Sequence, residues 1–196
     1  MENSNKKQTK ILVLGAVMTA LVIVFQAIGT VTTFFGPFST AVGLIPIVIG
    51  AAMCGVGIGA WLGFVFGVVV LVSGGAALFL AFDIPGTIIT VLLKGTVCGL
   101  LAGLTHKFLK KFNDLLAVFA AAVVCPVSNT LVFLLGCRVF FFEHADAIAE
   151  QLGLNVTGMA LFWALAMGNF LLEVGTNVVL SPIVTRILSY EKKIKI

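Results

Sequence analysis

Long apolar blocks run through this chain, separated by short polar segments and by glycine- and proline-bearing turns. Each block approaches the roughly 20 residues that a helix needs to cross a hydrocarbon layer. The pattern predicts spans over residues 11–29, 39–54, 56–72, 86–105, 115–137 and 157–188. Pro46 is expected to kink the second span, because a proline inside a helix removes a backbone hydrogen bond. Gly55, Gly59, Gly63 and Gly67 recur every four residues in the third, which stacks them on one face as a smooth seam for a close neighbour. Residues 73–85 form a connector of Ser-Gly-Gly, an apolar stretch and Asp83. It is longer than a turn and is expected to fold back as a cap over the outer end of the bundle. In the loop 138–156, residues 143–152 read as a short helix.

Composition changes the picture from apolar helices to a membrane domain. Of 196 residues, 60% are hydrophobic and 10% charged, with a mean hydropathy of +1.19, against about 25% charged in soluble domains. The expected fold class is an all-α membrane protein, a six-transmembrane-helix bundle. It forms one domain over 11–188, with tails at 1–10 and 189–196 and no room for a sizeable soluble domain. The net charge of +4 orients it. Lys6, Lys7 and Lys10 precede the first span, Lys107, Lys110 and Lys111 share one turn, and Arg186, Lys192, Lys193 and Lys195 close the chain. Glu143, Asp146 and Glu150 make the loop after the fifth span acidic. The positive-inside rule then places both termini in the cytoplasm. The basic clusters read as anchors on anionic lipid, not as a nucleic-acid surface. Residues 1–10 are expected to fray at that surface. No A-x-A-like site follows the first apolar run, so the first helix itself is expected to direct insertion. Cys54, Cys98, Cys125 and Cys137 lie in apolar runs without C-x-x-C spacing or a nearby histidine, which supports neither zinc nor a redox pair.

Polar residues inside the spans carry the candidate chemistry. Lys94 sits near the middle of the fourth span, where a cation costs roughly 2.5–3.5 kcal/mol and must face the protein interior or a wet cavity. It is either half of a buried ion pair or the receptor for an anionic ligand. The fifth span carries Pro126, Ser128, Asn129 and Thr130, and the sixth presents Asn169, Glu173 and Asn177 at four-residue intervals, a polar stripe on one face. With ~1.5 Å of rise per residue, Lys94 lies roughly 12 Å, Asn129 roughly 8 Å and Asn169 roughly 16 Å below the outer surface, with Glu173 a turn further down. An outward-opening pocket between the fourth, fifth and sixth spans is therefore expected. Its substrate-binding residues are Lys94, Asn129, Thr130, Asn169 and Glu173, and its roof is made by the loops 30–38, 73–85 and 138–156. In the competing arrangement Lys94 and Glu173 neutralise one another and the asparagines bond between helices.

Enzymatic readings fail on motif. There is no G-x-x-x-x-G-K phosphate loop and no His-Glu-x-x-His, Ser73 lacks a G-x-S-x-G setting, and His106 and His144 fall in loops on opposite sides of the membrane. The Gly-Val-Gly-Ile-Gly opening the third span lacks the strand and spacing of a nucleotide fingerprint. No cofactor or metal is expected in this chain.

Ala16 and Ala20 stack on one face of the first span, either for packing within the chain or for docking a partner. Four further features accompany them: six short-looped spans, the glycine-seamed segment 55–67, Pro126-x-x-Asn129-Thr130, and Asn169-Phe-Leu-Leu-Glu173-x-x-x-Asn177 ahead of Pro182. Together these resemble the S components of energy-coupling factor (ECF) transporters, the substrate-binding membrane subunits of bacterial vitamin importers. The resemblance covers nearly the whole chain. It implies a multi-pass protein of the bacterial cytoplasmic membrane that captures a vitamin from outside and docks through Ala16 and Ala20 on a transmembrane coupling subunit. Two cytoplasmic ATPase subunits then topple it to release the ligand inward, so ATP is used by the partners. The cation of Lys94 favours a carboxylate-bearing vitamin over thiamine. The sequence is most similar to pantothenate-type members, with biotin, niacin, folate and pyridoxine types as alternatives. The rival outside the family is a stand-alone secondary transporter driven by an ion gradient through Glu173.

Overall fold

A backbone without water must bond to itself, and all regular structure among the described residues is helical. The computed structural model describes residues 2–31 and 43–194. In chain order come α1 (Glu2–Val31), α2 (Leu44–Cys54), α3 (Val56–Val72), α4 (Ala77–Leu80), α5 (Ile84–Leu109), α6 (Asp114–Gly136), α7 (Ala145–Gln151) and α8 (Met159–Ile194). A π-helical turn (Cys137–Phe141) and a 3₁₀ turn (Phe142–His144) carry α6 into α7. Four segments are long and apolar enough to cross a membrane: Gln8–Gly29, Ile84–Leu109, Asp114–Gln151 and Met159–Ile183. The other two expected spans are shorter. α3 has 17 residues and α2 has 11, about 25 Å and about 16 Å of helix.

Several boundaries depart from the pattern of apolar blocks. α1 starts at Glu2, so the stretch expected to fray extends the helix; Lys, Gln and Glu favour helix, and lengthening one needs no new nucleus. α8 likewise runs on to Ile194, past the expected end of the membrane domain at residue 188. The expected outer loop 30–38 falls at residues 32–38 outside the described residues, as does the expected start of the second span at 39–42. α2 begins at Leu44, so Pro46 lies in its first turn, where a missing N–H breaks no intrahelical bond and produces no kink. α5 is capped by Asp83, whose carboxylate accepts from the Gly86 N–H at 3.1 Å, with Pro85 in the first turn. It continues to Leu109, and His106 is therefore a buried residue of its last turn, not a loop residue. Asn113 starts α6, accepting from the N–H groups of Leu115 and Leu116 at 2.8 and 3.4 Å.

Packing centres on α2, which is apolar all round and buries seven residues from Leu44 to Ala52 against α1, α3, α5, α6 and α8. α3 lies against α5 through two glycine seams. Gly59, Gly63 and Gly67 meet Gly95 and Gly99, spaced by the same four residues on α5. A methyl group added at Gly59 would sit 2.6 Å from the Gly99 carbonyl oxygen, one at Gly67 2.9 Å from that of Val91, and one at Gly63 would overlap that of Gly95. Gly55 is not part of this seam: it joins α2 to α3 at φ 98°, a conformation that excludes ordinary side chains. Two apolar clusters result. One, around Ile47, Leu62, Phe66, Cys98 and Cys125, joins α1, α2, α3, α5 and α6; the other, around Phe141, Ile148, Leu161 and Phe162, joins the end of α6 to α7 and α8. Leu12, Val72, Leu135 and Leu171 are among the large apolar side chains pointing outward, as a lipid-facing surface requires.

Candidate functional site

Where the two clusters meet, the helices leave a hollow of ≈ 300 Å³, the space of about ten waters. α5 lines it with Val91 and Lys94, α6 with Asn129, Thr130 and Phe133, and α8 with Leu165, Ala166, Asn169 and Glu173. The five polar residues singled out from the sequence thus come to one wall system. Helical spacing explains much of this: Asn129 and Phe133, and Asn169 and Glu173, each lie four apart and project from one face. Asn177 continues the stripe and is buried, but it does not reach the hollow. Ser128 turns its hydroxyl onto the carbonyls of Val124 and Cys125, at 2.6 and 3.0 Å, beside Pro126, which has no N–H to donate to the preceding turn.

The charges do not cancel by contact. Lys94 Nζ lies 5.3 Å from the centroid of the Phe133 ring, within the range of a cation–π attraction. Glu173 is 5% exposed and accepts from Asn129 Nδ2, at 3.3 Å to Oε2 and 3.5 Å to Oε1. Among the described residues no ion pair within 4.0 Å joins Lys94 to Glu173, although both border the hollow. Among the described residues the buried amide oxygens of Asn129 and Asn169 have no hydrogen-bond partner, and both residues line the hollow.

Residues outside the predicted set complete the wall. α1 contributes Gln26, α3 contributes Phe66 and Val70, and the connector contributes Gly74 to Phe79, including α4. Gln26 carried a signal, an amide within an apolar run; Phe66 and Val70 carried none, since an aromatic or β-branched residue in a span is ordinary. The connector does cover the hollow: Phe79 packs edge-on against Phe133 at 5.5 Å and Phe141 at 5.0 Å. From the loop 138–156, Leu152 reaches it.

Ala16 and Ala20 are both exposed. The inner face of α1 is formed by other residues: Gly15 packs beside Ile58, Val22 is fully buried, and Gln26 borders the hollow. Thr19 and the Trp61 indole, 3.3 Å apart, tie α1 to α3. Among the described residues the alanine pair thus lies off the packed face of α1. Among the described residues no group of three or more His, Cys, Asp or Glu is placed to hold a metal ion.

The model of one protein family, described as ECF transporter, substrate-specific component, matches residues 10–185. No curated protein and no solved structure matches the chain.

Proposed function

This chain belongs to the family of substrate-specific components of ECF transporters, and from that membership we propose that it binds a small anionic vitamin, of the pantothenate type, in the hollow between α5, α6 and α8. The observation that carries the reading is Lys94: a cation in the wall of a ≈ 300 Å³ hollow, with no acid in contact. A carboxylate ligand supplies the missing partner, and the charge-assisted bond gains strength from the low local dielectric. Asn129, Thr130, Asn169 and Glu173 orient the remainder of the ligand. The volume lies at the lower end of small-molecule pockets, which favours a short flexible acid over a large ring system.

In this reading the bundle crosses the membrane six times with both termini in the cytoplasm. α2 and α3 count as crossings despite their length, because α2 is enclosed by five other helices and so is largely relieved of matching the thickness of lipid. The ligand enters from outside, and toppling against a coupling subunit driven by two ATPases delivers it inward, with Ala16 and Ala20 on the docking face. Calorimetry of the purified protein in lipid nanodiscs tests the ligand class, with pantothenate, biotin, nicotinate, folate, pyridoxine and thiamine as titrants. Pantothenate is expected to bind tightest. Preference for another acid replaces the vitamin and keeps the mechanism; preference for thiamine, a cation, overturns it.

A further inference from the structure

Glu173 is harder to explain than Lys94 by capture of an anion. A carboxylate lining the same small hollow repels an acid, and Glu173 is held there: it is buried, and Asn129 Nδ2 lies within 3.5 Å of both its oxygens. The amide N–H is directed at both carboxyl oxygens and occupies only part of their acceptor capacity. That donor leaves most of the carboxylate's acceptor capacity unused, since two oxygens offer about four lone-pair sites. Lys94 does not take up this capacity, because no ion pair within 4.0 Å joins the two. Phe66, Val70, Val91 and Phe79 are among the apolar residues of the same wall.

We propose that the hollow recognises its ligand at two separate groups. Lys94 takes a carboxylate, while Glu173, held by Asn129, takes an O–H donor carried elsewhere on the same molecule. The substrate class is accordingly a small acid bearing hydroxyl groups; an acid of the same skeleton without them leaves Glu173 buried against hydrocarbon. This inference rests on the functional reading above and deepens it, by naming the ligand group that Glu173 receives.

The test varies the ligand first, so that no variant has to fold. Pantothenate and N-(3,3-dimethylbutanoyl)-β-alanine share a carbon skeleton and a carboxylate arm, and the second lacks both hydroxyls. Titrated into the unaltered protein in nanodiscs, the dehydroxylated acid is expected to bind at least tenfold more weakly. Glu173→Gln should then narrow the gap from both sides, with the dehydroxylated acid binding more tightly than to the unaltered protein and pantothenate no more tightly. A purely structural role for Glu173 would weaken both acids alike. Equal binding of the two acids by the unaltered protein, with both weakened by Lys94→Met, overturns the role of Glu173 in recognition and leaves the functional reading standing. Binding of neither acid overturns both that role and the assignment of a pantothenate-type ligand.

Discussion

A lysine survives within an apolar bundle only where something other than lipid solvates it. Lys94 has an aromatic face at 5.3 Å and a hollow; under the proposed function the ring holds it in place and the hollow admits an anion to it. Lys94→Met should leave the bundle folded, because the replacement removes a costly cation and keeps a flexible apolar stem. It should weaken an anionic ligand by about 10- to 150-fold, the roughly 1.5–3 kcal/mol of one hydrogen bond to a charged group. Calorimetry reads this directly, and unchanged affinity removes Lys94 from the site. The placement of Lys94 inside an apolar helix was legible in the chain, as was that of Asn129, Asn169 and Glu173, because a polar side chain in an apolar run is visible whatever surrounds it. Whether Lys94 and Glu173 touch was not legible: both arrangements satisfy the same depths, and a small rotation of α5 or α8 about its axis converts one into the other.

α3 and α5 are held together by close backbone approach. α3 and α5 approach until the carbonyl of one lies where a β-carbon of the other would be, so van der Waals contact along the two seams fixes the height of Lys94, which adjoins Gly95. Gly63→Leu should therefore prevent the pair from closing and abolish a monodisperse, ligand-binding protein. Gly57→Leu, where an added β-carbon meets nothing within 4 Å, should be tolerated; size-exclusion chromatography in detergent compares the two. The seam on α3 could be read from its spacing, but its mate on α5 could not be assigned, since small residues at intervals of four do not name their partner. α1 offers a second test. Ala16 and Ala20 face away from the bundle, so Ala16→Leu should preserve vitamin affinity and obstruct assembly with the coupling subunit. Recovery of an intact complex with that variant would count against the docking face.

For the molecule as a whole, the proposed function separates capture from transport. The chain holds a hollow but no phosphate-binding loop, so vesicles containing it alone should bind vitamin without accumulating it. Addition of the coupling subunit and ATPases should make accumulation depend on ATP. Accumulation by the chain alone, abolished when an ion gradient is collapsed, would instead assign Glu173 to ion-coupled transport. The glycine- and alanine-lined helices, the short α2 at the centre and the exposed apolar exterior are all consistent with a small unit whose outer face is available to lipid or to a partner.

Helical character, a lipid environment and the identities of the costly polar groups could be read from the amino acids in order, because the penalty for a charge or amide in hydrocarbon depends on the residue and its depth and hardly on its neighbours. Convergence could not. That Gln26 and Phe66 reach the same hollow as Lys94, that His106 is buried in α5, that Gly55 makes a turn and leaves the seam to its successors, and that Lys94 and Glu173 share a space without joining depend on how far each helix is rotated and how closely it is approached. Those are properties of pairs of helices, settled when their surfaces pack, and no single stretch of chain contains them.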